Sequence, residues 1–296
     1  MMGALEADEA IDHETLDWSG VVAATYAIEQ SIRYDYRSPI TNLRHRLVIS
    51  PRAIHGDQRR GIHDLSVTPP ARVRVSTDAF GNEVGVLNVA RVERNLTFSL
   101  RSIVVRDARF GAHVADPHEY ADPALRGDGS RLTRLDDALR DAAAGLRARY
   151  ANPHELAEAI VGFVHREMNY TKNVTDVFTT AAVAFDMRRG VCQDYAHVTL
   201  ALARACGLAA RYVSGHLLGE GATHAWIEIL IPAGDHVRVL AFDPTTGRHT
   251  NWRYIVVAVG RDYEDVAPTS GVFTGDNAGS IGGHQAVRVT GVTLAA

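Results

Sequence analysis

The sequence predicts an α+β protein built from two packed units, and three observations carry that reading. From Tyr26 to about Val105, polar and apolar residues alternate at period two, in TYAIEQSIRYDY, LRHRLVI, ARVRVST, EVGVLNVARV and LTFSLRSIVV. After the proline-containing stretch ADPHEYADPALRGDGS, at residues 115–130, the period shifts to that of helices. Beyond those helices come four more strands, ARYVSGHL, THAWIEILI, VRVLAFD and YIVVAVG. Helices followed by strands, rather than alternating with them, argue for an antiparallel sheet.

The length of 296 residues exceeds a usual domain of roughly 100–200, and an apolar fraction of 46% can fill two cores. We place an all-β domain at residues 21–125. A second unit, with a C-terminal loop and strand, spans 130–296. In the first, DAFGN is a hairpin signal, because Gly81 and Asn82 tolerate the positive φ of short connections. In the second, Leu132, Leu135, Leu139, Leu146 and Tyr150 follow helical spacing. NPHEL then opens a second helix, with Asn152 as cap, Pro153 at the first position and Glu155 completing a capping box. A third helix runs from Cys192 to a stop at Gly207. The Gly-rich run GVFTGDNAGSIGG, residues 271–283, reads as a loop before a last strand, QAVRVTGVTL.

Charge narrows the function. The formal net charge is -4, acids and bases are interspersed, and Lys172 is the single lysine. No concentrated basic face is offered to nucleic acid or to an anionic membrane. The acidic N-terminus MMGALEADEAIDHETLDW lacks the order of a secretory signal, and no apolar run approaches the ~20 residues of a membrane span, so a cytoplasmic protein is expected. Cys192 and Cys206, on one helix, would lie about 21 Å apart, beyond the ~7 Å reach of a disulfide, and both should be free thiols. Nothing in the spacing calls for a cofactor or a metal, and oligomeric state is not legible.

The residues GVCQDYAHV, 190–198, place Cys192 between a glycine turn and the first turn of a helix. There the macrodipole and free N–H groups favour thiolate, and can bring a thiol pKa from about 8.5 to below about 7.5. Cys206, within the apolar run of the same helix, fits a buried structural thiol. A nucleophilic thiolate needs an imidazole to carry its proton, and the imidazole needs a carboxylate to fix its tautomer. His224 opens the strand HAWIEI and Asp243 closes VLAFD. If the two strands pair across the PAGDH turn, these residues share one end of the sheet, and the parity of both strands agrees.

With those residues in place, the run GVCQDYAHVTLALARACGLAARYVSGHL, then THAWIEI, AFDPTTG and VAVGRDYEDVAPTSGVFTG, resembles the bacterial transglutaminase-like superfamily. The N-terminal unit, with RLVISPR and DAFGNEVGVLNV, looks like the β-sandwich domain that commonly precedes that module. The resemblance implies a papain-like core, helices packed on an antiparallel sheet, preceded by the sandwich. It implies a triad of Cys192 as nucleophile, His224 as base and Asp243 as orienting carboxylate. Two departures stand out: no aromatic precedes Phe242 on the aspartate strand, and Gln30 stands where a histidine is common.

Other residues have weaker claims. Gln193 and Tyr170 could donate to a developing oxyanion beside the backbone N–H of Cys192. Trp226 and Tyr195 read as site wall or core. Asp194 is expected to support the helix N-terminus. His197, about 140° around the helix from Cys192, reads as a packed histidine, and Glu228 as an exposed strand position. The chemistry expected is attack on a peptide or amide carbonyl to give an acyl-thioester, released to water. Transfer to an amine and a non-catalytic binding module are the alternatives.

Overall fold

The computed structural model describes residues 10–127, 129–276 and 279–295. The first nine residues of the acidic N-terminus and Asp128 in the boundary stretch lie outside that description. So do Asn277 and Ala278 in the Gly-rich run.

The N-terminal strands are β1 (Val21–Tyr36), β2 (Ile40–Leu47), β3 (Ile54–His55), β4 (Gln58–Thr68), β5 (Arg74–Thr77), β6 (Glu83–Val92) and β7 (Asn95–Asp107). Alternation puts Ala24, Tyr26 and Ile28 of β1 inside, with Tyr26 opposite Val104 of β7; farther along β7, Leu96, Phe98 and Leu100 are buried opposite Tyr34, Ile32 and Gln30. The DAFGN turn forms as expected, with Gly81 at φ 76° and Asp78 accepting the N–H groups of Phe80 and Asn82. Asn82 is not among the residues of positive φ; its side chain is buried and turned inward for another use. Strand β4 has no clean alternation in sequence, and its pairing with β7 on one side and β3 on the other defines it.

The second unit begins with β8 (Val114–Ala115) and α1 (Pro117–Ala121). It continues through α2 (Asp137–Arg149), α3 (Pro153–Glu167), β9 (Asn169–Tyr170), α4 (Ala181–Met187), β10 (Arg189–Gly190) and α5 (Cys192–Ala205). Asn152 caps α3 by accepting from His154 N at 2.8 Å, with Pro153 in the first turn, and α5 ends before Gly207 at φ 87°. The first helix starts at Asp137 rather than at Leu132, because Asp136 supplies its cap. Then follow β11 (Ala209–Leu217), β12 (Thr223–Ala233), β13 (His236–Asp243), β14 (Arg248–His249), β15 (Tyr254–Gly260) and α6 (Tyr263–Val266). The antiparallel order is β14-β13-β12-β11-β15, with β8 beside β13. Residues 193–204 of α5 are buried on every side, so this helix is the centre of the unit, packed on β11 and β12. A helix apolar or satisfied all round belongs in a core.

The C-terminus corrects the expected domain boundary. Strands β16 (Thr269–Thr274) and β17 (Gly279–Leu294) leave the second unit and return to the first. β17 pairs with β1 from Val21↔Leu294 to Tyr36↔Gly279, and β16 pairs with β2. The sandwich is therefore β17-β1-β7-β4-β3 facing β16-β2-β6-β5, around Ile40, Leu43, Leu87 and Phe98. The Gly-rich run that reads as a loop is strand on both sides of the undescribed pair. Glycine suits it because a Cβ at Gly283 or Gly279 would collide with the backbone of β1.

The two units are joined by polar side chains that complete an open sheet edge. β15 is the edge strand, and Gln58 bonds both the N–H and the C=O of Val256, at 2.8 Å each. Asn82 does the same for Val259, at 2.9 and 2.7 Å. Each carboxamide stands in for a neighbouring strand and shields an edge that would otherwise be unpaired. Among the described residues, no helix is long and apolar enough to cross a membrane.

Candidate active site

The thiol is positioned by a short parallel ribbon. β10 pairs with β9, Gly190 opposite Tyr170, and Thr171 N donates to Gly190 O at 2.9 Å. The chain then turns into α5, with Cys192 as its first residue and partly exposed. Asp194 ties the turn down: its Oδ2 accepts from Val191 N and from Thr175 Oγ1, both at 2.7 Å. A Cβ on Gly190 would collide with that carboxylate, which explains the glycine two residues before the thiol. Asp194 thus holds the helix start, and its burial pushes the carboxyl up despite these bonds.

His224 is buried near the start of β12, opposite Gly215 of β11. Its Nε2 lies 2.9 Å from Asp243 Oδ2, and Asp243, at the end of β13, is fully buried. β12 and β13 pair in antiparallel register, Ile227 opposite Phe242, so His224 reaches Asp243 diagonally. The ring takes two further partners. Glu220 Oε2 is 3.1 Å from Nδ1, and the Cys192 side chain also acts on the ring. Burial alone would push the imidazole pKa down, but the bonds to Asp243, Cys192 and Glu220 outweigh it and hold the ring well above the ordinary range. Asp243 is held below its ordinary value, burial notwithstanding, by His224, by Tyr254 Oη at 2.8 Å and by Thr245 N at 2.8 Å.

Cys192, His224 and Asp243 are therefore brought together. Trp226 is buried beneath the histidine, stacked at 6.3 Å between ring centroids, and Gly215 leaves room for it. Tyr170 is exposed and borders the site: partial desolvation pushes its hydroxyl pKa up, and Cys192, Glu220 and Asp243 add to this while His224 opposes it. Tyr195 is buried, with its ring 6.4 Å from that of Tyr170. Gln193 points away, donating to Val177 O at 3.3 Å. His197 is packed and fully buried, its Nε2 accepting from Tyr263 N at 3.3 Å, and burial drives its pKa to about 3. Cys206 is free and buried, bonded to Ala143 O, with its pKa pushed to about 11 by burial.

Besides Gln193, another placement differs from the sequence reading. Glu228 is not exposed; it is buried at the junction with the sandwich, bonded to Arg211 Nε and His55 Nε2, each at 2.7 Å. Period two fixed its face correctly, but that face is covered by the N-terminal domain. Two partners of the site escaped sequence reasoning. Glu220 lies four residues before His224, so a carboxylate in the loop GEGATH was its signal. Tyr254 begins an apolar strand and carries no local signal.

A helix-borne thiol facing a buried histidine–aspartate pair across an antiparallel sheet defines the papain-like class of thiol-dependent enzymes. Comparison with known proteins agrees. Residues 140–244 match the family described as the transglutaminase-like superfamily, and residues 26–105 match the bacterial transglutaminase-like N-terminal region. The uncharacterized protein Rv2569c of Mycobacterium tuberculosis is 32% identical in an alignment that covers 86% of this chain and 90% of that protein. The uncharacterized protein ML0607 of Mycobacterium leprae is 29% identical, over 85% and 94% of the two chains. A crystal structure titled "Putative Cysteine Protease" from Cytophaga hutchinsonii shares the fold at a TM-score of 0.73, with 24% identity over 92% of this chain and 93% of that one. This chain belongs to the transglutaminase-like superfamily.

Proposed function

We propose that the protein is a thiol hydrolase that cleaves peptide or amide bonds through an acyl-thioester on Cys192. The observation that carries this reading is the His224 ring, held on Nε2 by Asp243 and in interaction with the Cys192 side chain. Cys192 Sγ attacks the carbonyl carbon as thiolate, and the oxyanion forms near the free backbone N–H groups that open α5, with Tyr170 Oη as a second donor. Nδ1–H of the imidazolium gives its proton to the departing amine, and the carbonyl carbon stays on sulfur. Water then attacks the thioester while Nδ1 takes a proton, and the thiol and a carboxylic acid result. Asp243 keeps the proton on Nε2 throughout, so Nδ1 is the nitrogen that exchanges.

A second reading, acyl transfer to an amine, has one observation in its favour. Glu220 places a half-exposed carboxylate beside Nδ1, where an incoming ammonium would be held before it loses a proton. One assay separates the readings. The protein is incubated with a glutamine-containing protein and a labelled primary amine, and new amino termini, ammonia and label are all measured. The hydrolase reading expects new termini or ammonia without label, abolished in Cys192→Ala. Covalent label would overturn it in favour of transfer, and no turnover by the wild type would favour a binding module.

A further inference from the structure

Away from the thiol, three side chains from three separate elements converge at the junction of the two units. His55 comes from β3 of the sandwich, His113 from the connection between β7 and β8, and Glu228 from the strand that also carries His224. His55 Nε2 lies 2.7 Å from Glu228 Oε1, and His113 Nδ1 lies 3.6 Å from the same oxygen. All three ligand atoms fall within 4.8 Å of one another. The two imidazoles meet edge to face, with centroids 4.2 Å apart. We propose that His55, His113 and Glu228 form a binding site for a divalent transition metal, zinc foremost, which fastens the β-sandwich to the catalytic sheet.

The chemistry of the donors sets the class of ion. Two imidazoles and one carboxylate suit zinc and its neighbours, whereas magnesium and calcium prefer oxygen alone. With bonds of ~2.0–2.2 Å, tetrahedral ligand atoms stand about 3.3 Å apart, and the 2.7 and 3.6 Å pairs bracket that value. Small side-chain rotations therefore suffice to admit an ion.

The surroundings supply the rest of a coordination sphere. The three residues line one cavity of about 330 Å³, whose other walls include Gln58, Trp226 and Tyr254, and the fourth position can be filled by water from it. Glu228 uses only Oε1 toward the histidines; Oε2 receives Arg211 Nε at 2.7 Å. A carboxylate that takes a metal on one oxygen and a hydrogen bond on the other is oriented as metal sites require. The charge of Arg211 is already answered, since its Nη1 also meets Glu119 Oε2 at 3.0 Å. Ligation through Nδ1 of His113 leaves the proton on Nε2, 3.5 Å from Arg211 Nη2, a spacing at which that contact is weak in either state.

The arrangement also suits a structural role. Glu228 is buried and His55 nearly so, and an ion there would bond the sandwich hairpin, the interdomain connection and β12 at once. Because only the folded junction assembles the ligands, binding free energy becomes stability of the junction.

The test uses the full chain in a Cys192→Ala background, so that the catalytic thiol and His224 do not compete for metal. Protein freed of metal by chelation is titrated with zinc alone and with cobalt(II). Bound metal is counted by elemental analysis, and the cobalt ligand-field spectrum is recorded. The proposal expects one equivalent per chain, a tetrahedral cobalt spectrum and a higher melting temperature with metal. His113→Gln, on the better exposed ligand, should fold without metal and bind at least about 100-fold more weakly, as should His55→Gln. Absence of stoichiometric uptake would overturn the proposal and leave a buried imidazole–carboxylate–guanidinium network. Uptake that is unchanged in both variants would overturn it equally, by placing the metal elsewhere.

Discussion

Tyr254 and His224 donate to the same oxygen, Oδ2 of Asp243, at 2.8 and 2.9 Å. The carboxylate that orients the imidazole is thus itself oriented from β15, the strand at the far edge of the sheet beyond β12 and β11, while Thr245 N holds Oδ1. Tyr254→Phe removes one donor and leaves the ring in place. A lost hydrogen bond to a charged group costs about 1.5–3 kcal/mol, so kcat should fall about tenfold or more while KM changes little. Steady-state kinetics on any hydrolysed substrate checks this.

The pH dependence follows from the same pair. His224 is held above the ~6.5 of a free imidazole, so its pairing contributes fully below that pH and is lost as pH rises through the folded value. Asp243 is held below ~3.9, so its contribution is present above that pH and is lost as pH falls through its folded value. Asp243→Asn should therefore cost most stability in the window between them. It should also move the alkaline limb of the pH–rate profile toward lower pH. Denaturant unfolding at several pH values and kcat/KM profiles measure the two effects.

Gly190→Ala tests how the turn before the thiol is built. The new Cβ meets the Asp194 carboxylate, which is bonded to Val191 N and Thr175. Overpacking there should cost about 1–3 kcal/mol in unfolding free energy and should lower activity through misplacement of Cys192. Urea unfolding with parallel activity assays checks both expectations.

Gln58→Leu tests the junction. The amide bonds both backbone groups of Val256, and the apolar replacement leaves a buried N–H and C=O unpaired, at about 1–3 kcal/mol each. A single cooperative melt should move to lower temperature. A melt split into two transitions would show that the units uncouple.

Most of the fold was legible in the sequence because period-two strands and capped helices announce themselves locally. Asn152 and Pro153, the glycine stop at Gly207 and the DAFGN turn each carry their own geometry. The return of β16 and β17 to the sandwich was not legible, since a glycine-rich run gives no alternation to read and its partner β1 is at the other end of the chain. Within the site, Cys192, His224 and Asp243 could be named from helix position and strand parity. Glu228 could be placed on a face but not buried, because burial there depends on His55 from the other domain. Tyr254 is silent in sequence for the same reason: its role exists only once β13 and β15 bring Asp243 and the phenol together.

The central claim is that Cys192 is a nucleophile activated by His224. Its most direct measurement is the second-order rate of iodoacetamide alkylation at Cys192 as a function of pH, followed by peptide mass spectrometry in wild type and in His224→Gln. The account predicts rapid alkylation of Cys192 near pH 6, with Cys206 protected. It also predicts that the variant loses this acidic reactivity. Slow alkylation of Cys192 near pH 6 in the wild type, unchanged in His224→Gln, would contradict it.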